Sequence, residues 1–146
     1  MDIILRPATG TDIAFARDAH HQAYHDVVVA QFGSWDKAKQ DKFFMADWKV
    51  PGIEIILFHG VECGYLRVVR TTTEIQAIEL VLLPKFQGQG VGTFLLKKLI
   101  DEGRQRQMPV TLRVFHKNRA IALYKRMGFA ESERTATHVI MKWQPQ

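Results

Sequence analysis

The stretch QGQGVG, at residues 87–92, restricts the fold more than any other segment of the chain. Glycine lets the main chain adopt conformations that side chains forbid, and it weakens any helix or strand that contains it. The run before it, residues 75–83, is almost continuously apolar, which is typical of a strand covered on both faces. The run after it, residues 91–103, repeats apolar side chains at helical spacing. The stretch is therefore predicted to be a turn between a strand and a helix.

Such a turn is suited to binding an anion, because the first amides of a helix have no partner within it and the helix dipole favours negative charge there. The predicted ligand is a phosphate or pyrophosphate, and a turn without any ligand is the simpler alternative. A P-loop would need Lys-Ser/Thr after the last glycine, where this chain has Thr93-Phe94. A dinucleotide fingerprint would need an acid at the end of the next strand, which here ends in Phe115-His116.

The rest of the pattern predicts one domain, 1–146, of mixed α/β class. Predicted strands lie at residues 3–6, 53–58, 64–70, 75–83, 110–115, 129–133 and 137–143. Predicted helices follow Thr9 up to about Val28, then run from Ser34 as N-cap to about Asp47, and cover residues 91–103 and 119–127. Thr9 and Asp12 fit a capping box, residues 59–62 form a hairpin bend, and Gly128 ends the last helix.

The composition narrows the class of protein. The chain has 146 residues, a net charge of +5 and a single cysteine, Cys63, which excludes an internal disulfide and fits a reducing, cytoplasmic setting. No secretory signal or bilayer-spanning run is visible, so no membrane partner is expected. Lys and Arg are scattered without interleaved aromatic residues, which argues against a nucleic-acid partner. His21 and His25 have metal-binding spacing but no third ligand, so no metal is expected.

Two motifs together resemble the GNAT N-acetyltransferase family. The first is Gln87-x-x-Gly90-x-Gly92, preceded by LLP and followed by TFLL. The second is NRAIALYKRMGF, residues 118–129, which is similar to the family's signature of an Asn, a Leu-Tyr pair and a Gly-Phe pair. The resemblance implies the GNAT-type α/β fold: a mostly antiparallel central sheet, splayed at one strand pair by a bulge and flanked by about four helices.

The resemblance also implies acetyl-CoA as cosubstrate. Amides of the loop would hold its pyrophosphate, the main chain of the preceding strand would pair with the pantetheine arm, and Asn118 would either bond the pantetheine or stabilise its own loop. Lys117, Lys125 and Arg126 are candidates for the 3′-phosphate. The implied cofactor-binding residues are Val81, Leu82, Leu83, Gln87, Gly88, Gln89, Gly90, Val91, Gly92, Thr93 and Asn118.

Direct attack by an amine needs a proton acceptor, an oxyanion donor and a donor to the leaving sulfur. The resemblance implies that a main-chain amide near Leu82 is the oxyanion donor and that Tyr124 is the donor to the leaving sulfur. The alternative for Tyr124 is a structural role, with its ring in the core and its hydroxyl satisfied by a hydrogen bond. Glu79, the only carboxylate in its apolar run, is either the base or half of an ion pair with Arg67 or Arg113.

Two further candidates for the base are a relayed water and, more distantly, His116. Because side chains alternate between the two faces of a strand, Glu79 is expected on the same face as Ala77 and Val81 unless a bulge interrupts the strand.

The leading hypothesis is an N-acetyltransferase that acts on a primary amine, either a small molecule or a lysine-bearing acceptor. The resemblance implies that the first two predicted helices cover the acceptor pocket, so one or two of their aromatic residues are expected to line it and the others to lie in the core. The alternative is a non-catalytic acyl-CoA-binding module that keeps the loop but lacks a base. The resemblance to the family also implies a homodimer.

Overall fold

The computed structural model describes residues 1–146 and contains seven strands and four α-helices. The strands are β1 (Ile3–Pro7), β2 (Ile53–Phe58), β3 (Val61–Arg70), β4 (Ile75–Leu82), β5 (Val110–Phe115), β6 (Ala130–Arg134) and β7 (His138–Trp143). The helices are α1 (Ile13–Phe32), α2 (Lys37–Trp48), α3 (Val91–Arg106) and α4 (Ile121–Arg126). Single 3₁₀ turns precede α1 and follow β4, at Gly10–Asp12 and Pro84–Phe86.

All strands join one sheet in the order β1-β2-β3-β4-β5-β7-β6, and only the β4–β5 pair is parallel. That pair is short: Ile75 to Ala77 face Val110 to Leu112, and no pairing follows. Both strands continue beyond this point, β4 against β3 and β5 against β7. The two halves of the sheet therefore diverge beyond Ala77 and leave a gap between them, which confirms the splayed sheet.

A bulge in β4 lies at the start of this gap. Arg67 of β3 faces Glu79, but Val68 faces Ala77, so Ile78 is the extra residue. Before the bulge, Ala77 packs toward α3, whereas after it Val81 packs toward α1 and α2. Odd-numbered residues of β4 therefore face α3 before the bulge and face α1 and α2 after it. Glu79 shares a face with Val81 but not with Ala77, which corrects the simple alternation.

The core lies on both sides of the sheet. On one side α3 packs Leu96 and Leu99 against β4, β5 and β7. On the other side Ala16 and Ala19 of α1 and Phe44 of α2 pack against β2, β3 and β4. Strand β4 is thus covered on both faces as its apolar pattern predicted, with its bulged residue an exception: 41% of Ile78 is exposed.

Several predicted boundaries were wrong for identifiable reasons. Helix α1 runs to Phe32 and ends at Gly33, whose φ of 90° is left-handed. The cap of α2 is Asp36 and not Ser34, because the Asp36 carboxylate accepts the Lys39 amide at 3.1 Å. Helix α4 begins at Ile121 and ends before Gly128 (φ 102°), as predicted for that glycine.

Gly103 does not end α3. A Cβ there would lie 2.8 Å from the Met108 carbonyl oxygen and 2.9 Å from the Trp143 ring, so glycine is required for close packing of a helix that continues to Arg106. The β2–β3 bend is also tighter than predicted. His59 and Gly60, both at positive φ, form a two-residue turn, and β3 begins at Val61.

Candidate active site

The glycine loop connects β4 to α3, as the sequence predicted. Gly88 and Gly90 have φ of 75° and 88°, a left-handed conformation that side chains rarely adopt. Gly92 differs because it lies inside the first turn of α3. A Cβ at Gly92 would meet only Leu80 and Leu82 side-chain atoms, at the ordinary contact distances of 3.7 and 3.8 Å. Neither backbone conformation nor packing within the chain therefore requires glycine at this position.

The loop presents a series of free main-chain donors. The amides from Gly88 to Thr93 donate no hydrogen bond to any group in the chain, and the first helical bond of α3 runs from the Phe94 amide to the Gly90 carbonyl. The side chains of Gln87 and Gln89 fold back onto the carbonyls of Leu82 and Lys85, at 3.0 and 2.8 Å. Free amides at a helix N-terminus form a site for an anion with several oxygen atoms.

The main chain of β4 lines the gap next to this loop. The Leu83 amide donates to the Cys63 carbonyl of β3 at 2.9 Å. Because successive amides of a strand point to opposite sides, the Leu82 amide points away from β3 and toward the gap. Gly64 of β3 lets β4 approach closely, since a Cβ there would lie 1.9 Å from the Val81 carbonyl oxygen. The gap thus offers main-chain donors to an extended ligand.

Tyr124 of α4 has its ring in the core and its hydroxyl free. The ring packs edge-to-face on Phe129, with centroids 6.2 Å apart. The hydroxyl makes no hydrogen bond within the chain, unlike the satisfied core tyrosine that was the alternative interpretation. Burial raises the pKa of Tyr124, so this phenol holds its proton at neutral pH.

Glu79 points to the α1 side of the sheet, where the Tyr65 hydroxyl donates to its carboxylate at 2.8 Å. Burial raises the pKa of Glu79 to about 7, against an opposing effect of the Tyr65 hydrogen bond. Neither Arg67 nor Arg113 forms an ion pair with it, so that alternative is wrong. A buried carboxylate that titrates near neutrality has the properties of a general base.

Tyr24 of α1 is the residue of this site that the sequence did not single out. Its ring lies edge-on to Phe115 of β5, with centroids 5.9 Å apart. Burial raises the pKa of Tyr24 well above its ordinary value, and the negative charge of Glu79, together with that of Tyr124 once this phenol ionises, raises it further. Glu79, from β4, and Tyr124, from α4, therefore both lie near Tyr24. The aromatic excess of the predicted N-terminal helices was the only sequence signal for it.

Asn118 stabilises its own loop. Its side-chain oxygen accepts the Ala120 amide at 2.8 Å and so forms the turn that leads into α4, while its side-chain nitrogen has no partner in the chain. The 3′-phosphate candidates Lys117, Lys125 and Arg126 are all exposed.

The histidines are engaged elsewhere. The Nε2 of His116 donates to the Thr135 carbonyl at 2.8 Å, and its Nδ1 accepts from the Arg134 guanidinium at 3.0 Å. Neither nitrogen is therefore free to accept a proton from a substrate. His21 pairs with Asp41 of α2. No group of three or more His, Cys, Asp or Glu residues in the structure has the geometry to hold a metal ion.

Comparison with known proteins identifies the family of the chain. Residues 40–131 match the model of the acetyltransferase (GNAT) domain. The chain belongs to the GNAT acetyltransferase family. An uncharacterized N-acetyltransferase of Methanocaldococcus jannaschii is 32% identical over 99 residues, which are 66% of this chain and 42% of that relative. The chain thus matches less than half the length of that relative.

Solved structures share the fold at lower identity. PaiA N-acetyltransferase from Thermoplasma acidophilum, in complex with coenzyme A, superposes with a TM-score of 0.76 at 13% identity, covering 99% of both chains. The ribosomal-protein-S18-alanine N-acetyltransferase of Escherichia coli gives a TM-score of 0.67 at 22% identity, covering 98% of this chain and 94% of that one. YncA of Salmonella typhimurium, with acetyl-CoA, gives 0.60 at 20% identity and covers 100% and 95%. None of the helices is long and apolar enough to span a membrane.

Proposed function

We propose that the chain transfers an acetyl group from acetyl-CoA to a primary amine, which attacks the thioester directly in a ternary complex. One observation carries this proposal: the free amides of the loop lie at one end of the gap between β4 and β5, and a carboxylate with a pKa of about 7 lies on the α1 side of the same strand. Membership of the GNAT family supports the choice of acetyl-CoA as the ligand.

The loop and the strand have separate tasks in binding. The amides from Gly88 to Thr93 donate to the pyrophosphate, and the dipole of α3 adds to the attraction. The edge of β4 that faces the gap has no strand partner beyond Ala77, and it holds the pantetheine arm as if the arm were another strand. The side-chain nitrogen of Asn118 is available to the same arm, from the opposite side of the gap.

Three groups of the chain then serve the reaction. When bound, acetyl-CoA supplies an acetyl thioester that forms an amide with the amine and releases a thiolate. Glu79 accepts a proton from the incoming ammonium, directly or through one water, because its pKa is close to neutral pH. The Leu82 amide donates to the carbonyl oxygen as negative charge develops on it. The Tyr124 hydroxyl is unpaired and protonated, so it can donate a proton or a hydrogen bond to the leaving sulfur.

Thiol release tests this function directly. Purified protein is incubated with acetyl-CoA and a panel of primary amines, and free thiol is measured with and without Glu79→Gln or Tyr124→Phe. The exposed, unpaired Glu133 of β6 gives the matched control Glu133→Gln. We expect amine-dependent thiol release that falls in both site variants and not in the control. Binding of acetyl-CoA with no release from any amine would instead support a non-catalytic acyl-CoA-binding module.

A further inference from the structure

Arg67 of β3 has no partner in the chain although part of it is buried. Its Nε is the only buried side-chain nitrogen or oxygen without a hydrogen bond, and its guanidinium forms no ion pair. Arg67 is the direct cross-strand neighbour of Glu79, on the same face of the sheet. Opposite charges at such positions ordinarily pair. Here the Glu79 carboxylate is held by Tyr65 instead.

An unpaired donor of this kind needs a physical explanation. A buried polar group without a partner costs about 1 to 3 kcal/mol, and more if it is charged. The planar fork of an arginine suits a carboxylate, which can accept two parallel hydrogen bonds from it. A ligand group that completes this pairing would explain why the arginine is kept free.

Two further unpaired charges lie on the same side of the sheet. Asp47, in the last turn of α2, has no ion pair, although an acid at a helix C-terminus is unfavourable. Arg113 of β5 is exposed and also unpaired. Both are close enough to influence Tyr24, whose pKa is raised by the charge of Asp47 and lowered by that of Arg113. The α1 side of the gap thus holds two carboxylates and two guanidinium groups with no ion pair between them, although the charge of Arg67 lowers the pKa of Glu79.

We propose that the acceptor is a small amino carboxylate, and that Arg67 binds its carboxylate while its amine lies at Glu79. This inference rests on the proposed function and names the substrate class of that site. Cross-strand neighbours have Cβ atoms about 5 Å apart, so the amine and the carboxylate must be only a few bonds apart in one molecule. A phosphate would bring a second negative charge toward Glu79 and Asp47. A protein lysine brings no carboxylate of its own at that distance.

Matched pairs of amines test this proposal. Each pair differs only in the carboxylate: phenylalanine with phenethylamine, lysine with cadaverine, and tyrosine with tyramine. We expect kcat/KM, measured by thiol release, to favour the carboxylate-bearing member of at least one pair by about 10²-fold. Arg67→Gln should reduce that ratio to near one, and at pH 9, where Glu79 is ionised with or without the charge of Arg67, it should act little on the decarboxylated amine. Arg67→Lys should keep part of the ratio, because it keeps the charge but not the fork.

An arginine on the opposite side of the sheet provides the control. Arg106→Gln removes an exposed guanidinium at the end of α3, which packs against the other face, and should leave the ratio as in the wild type. The ratio separates binding from an effect through Glu79, because a change in the base would slow both members of a pair equally. A wild type without preference, a preference that survives Arg67→Gln, or equal losses for both amines would each overturn the proposal while leaving acetyl transfer intact.

Absence of thiol release from every amine would instead count against the proposed function. Binding then decides the inference by itself. With CoA present, the amino carboxylate and not its decarboxylated partner should raise the melting temperature, and Arg67→Gln should remove that increase. Equal shifts, or no shift from either compound, would overturn it.

Discussion

The two sides of the gap between β4 and β5 use different chemical groups. The proposed cofactor side consists mostly of main chain: the amides from Gly88 to Thr93 and the strand edge at Leu82. The proposed acceptor side consists of side chains from separate elements, among them Tyr24 of α1, Arg67 of β3 and Glu79 of β4. Main-chain amides are present whatever side chains the loop carries, so most substitutions leave them available to the ligand. A surface made of side chains changes its chemistry when any of them is substituted. Under the proposed function, substitutions of side chains should therefore change the choice of acceptor more than the binding of the cofactor.

The largest effect is expected on the acceptor side. Glu79→Gln should lower kcat by about 10² to 10⁴-fold, because it removes the proposed general base, while the Kd of acetyl-CoA stays within about twofold. In the wild type, kcat/KM should fall as the pH drops below about 7, where Glu79 becomes protonated. Steady-state kinetics across pH, with a separate binding titration, measures both. Equal losses of turnover and of cofactor affinity would contradict the division between the two sides.

Protonation of Glu79, which should lower activity, should raise the stability of the folded chain. Its pKa in the folded chain, about 7, lies above its ordinary value of 4.5, so the folded state binds the proton more tightly. The contribution of Glu79 to the free energy of unfolding is complete below pH 4.5. As the pH rises toward 7, up to about 3 kcal/mol of it is lost. Glu79→Gln should therefore melt several degrees above the wild type at pH 8 and at nearly the same temperature at pH 4. A difference independent of pH would show that folding does not raise the pKa of Glu79.

A smaller effect is expected on the cofactor side, at Gly92. Alanine fits there without a clash and favours the helix, so Gly92→Ala should raise stability by a few tenths to about 1 kcal/mol. Its methyl group would narrow the space beside Leu80 and Leu82, so the affinity for acetyl-CoA should fall about tenfold. Calorimetric titration and thermal melting measure the two effects. Gly88→Ala is the comparison, because its positive φ makes alanine destabilising before any ligand binds. Unchanged affinity in Gly92→Ala would mean that no ligand approaches this position.

The smallest effect concerns Tyr65. Its hydroxyl donates to Glu79 and so lowers the pKa of that carboxyl, against the larger effect of burial. Tyr65→Phe should move the acidic limb of the kcat/KM profile to higher pH by a fraction of a unit, which is a few-fold loss at pH 7 and almost none at pH 9. A loss of the same size at every pH would show that Tyr65 acts only through packing.

The same contrast explains what could be predicted from the sequence. The loop between β4 and α3 was predictable because glycine spacing and helical periodicity are local patterns. The orientation of Glu79 was not, because a bulge at Ile78 leaves the alternation of residue types unchanged while reversing the faces. Gly103 resembled a helix end but serves contact with Trp143, which is 40 residues away in sequence.

The partners of the acceptor residues are equally non-local. The hydrogen bond from Tyr65 to Glu79 and the unpaired state of Arg67 depend on the register between β3 and β4, which no spacing within one strand specifies. Tyr24 reaches the site only because α1 packs across the gap against Phe115. Its role was therefore foreseen only as an aromatic lining without a position.

The most direct test of the central claim is a thermal-shift titration of the protein with acetyl-CoA, CoA and NAD. A ligand that binds only the folded state raises the melting temperature by mass action. If the loop amides and the open edge of β4 hold the pyrophosphate and the pantetheine, acetyl-CoA and CoA should each raise it by several degrees and NAD should not, although NAD also carries a pyrophosphate. No shift with either CoA species at millimolar concentration, or an equal shift with NAD, would contradict the account.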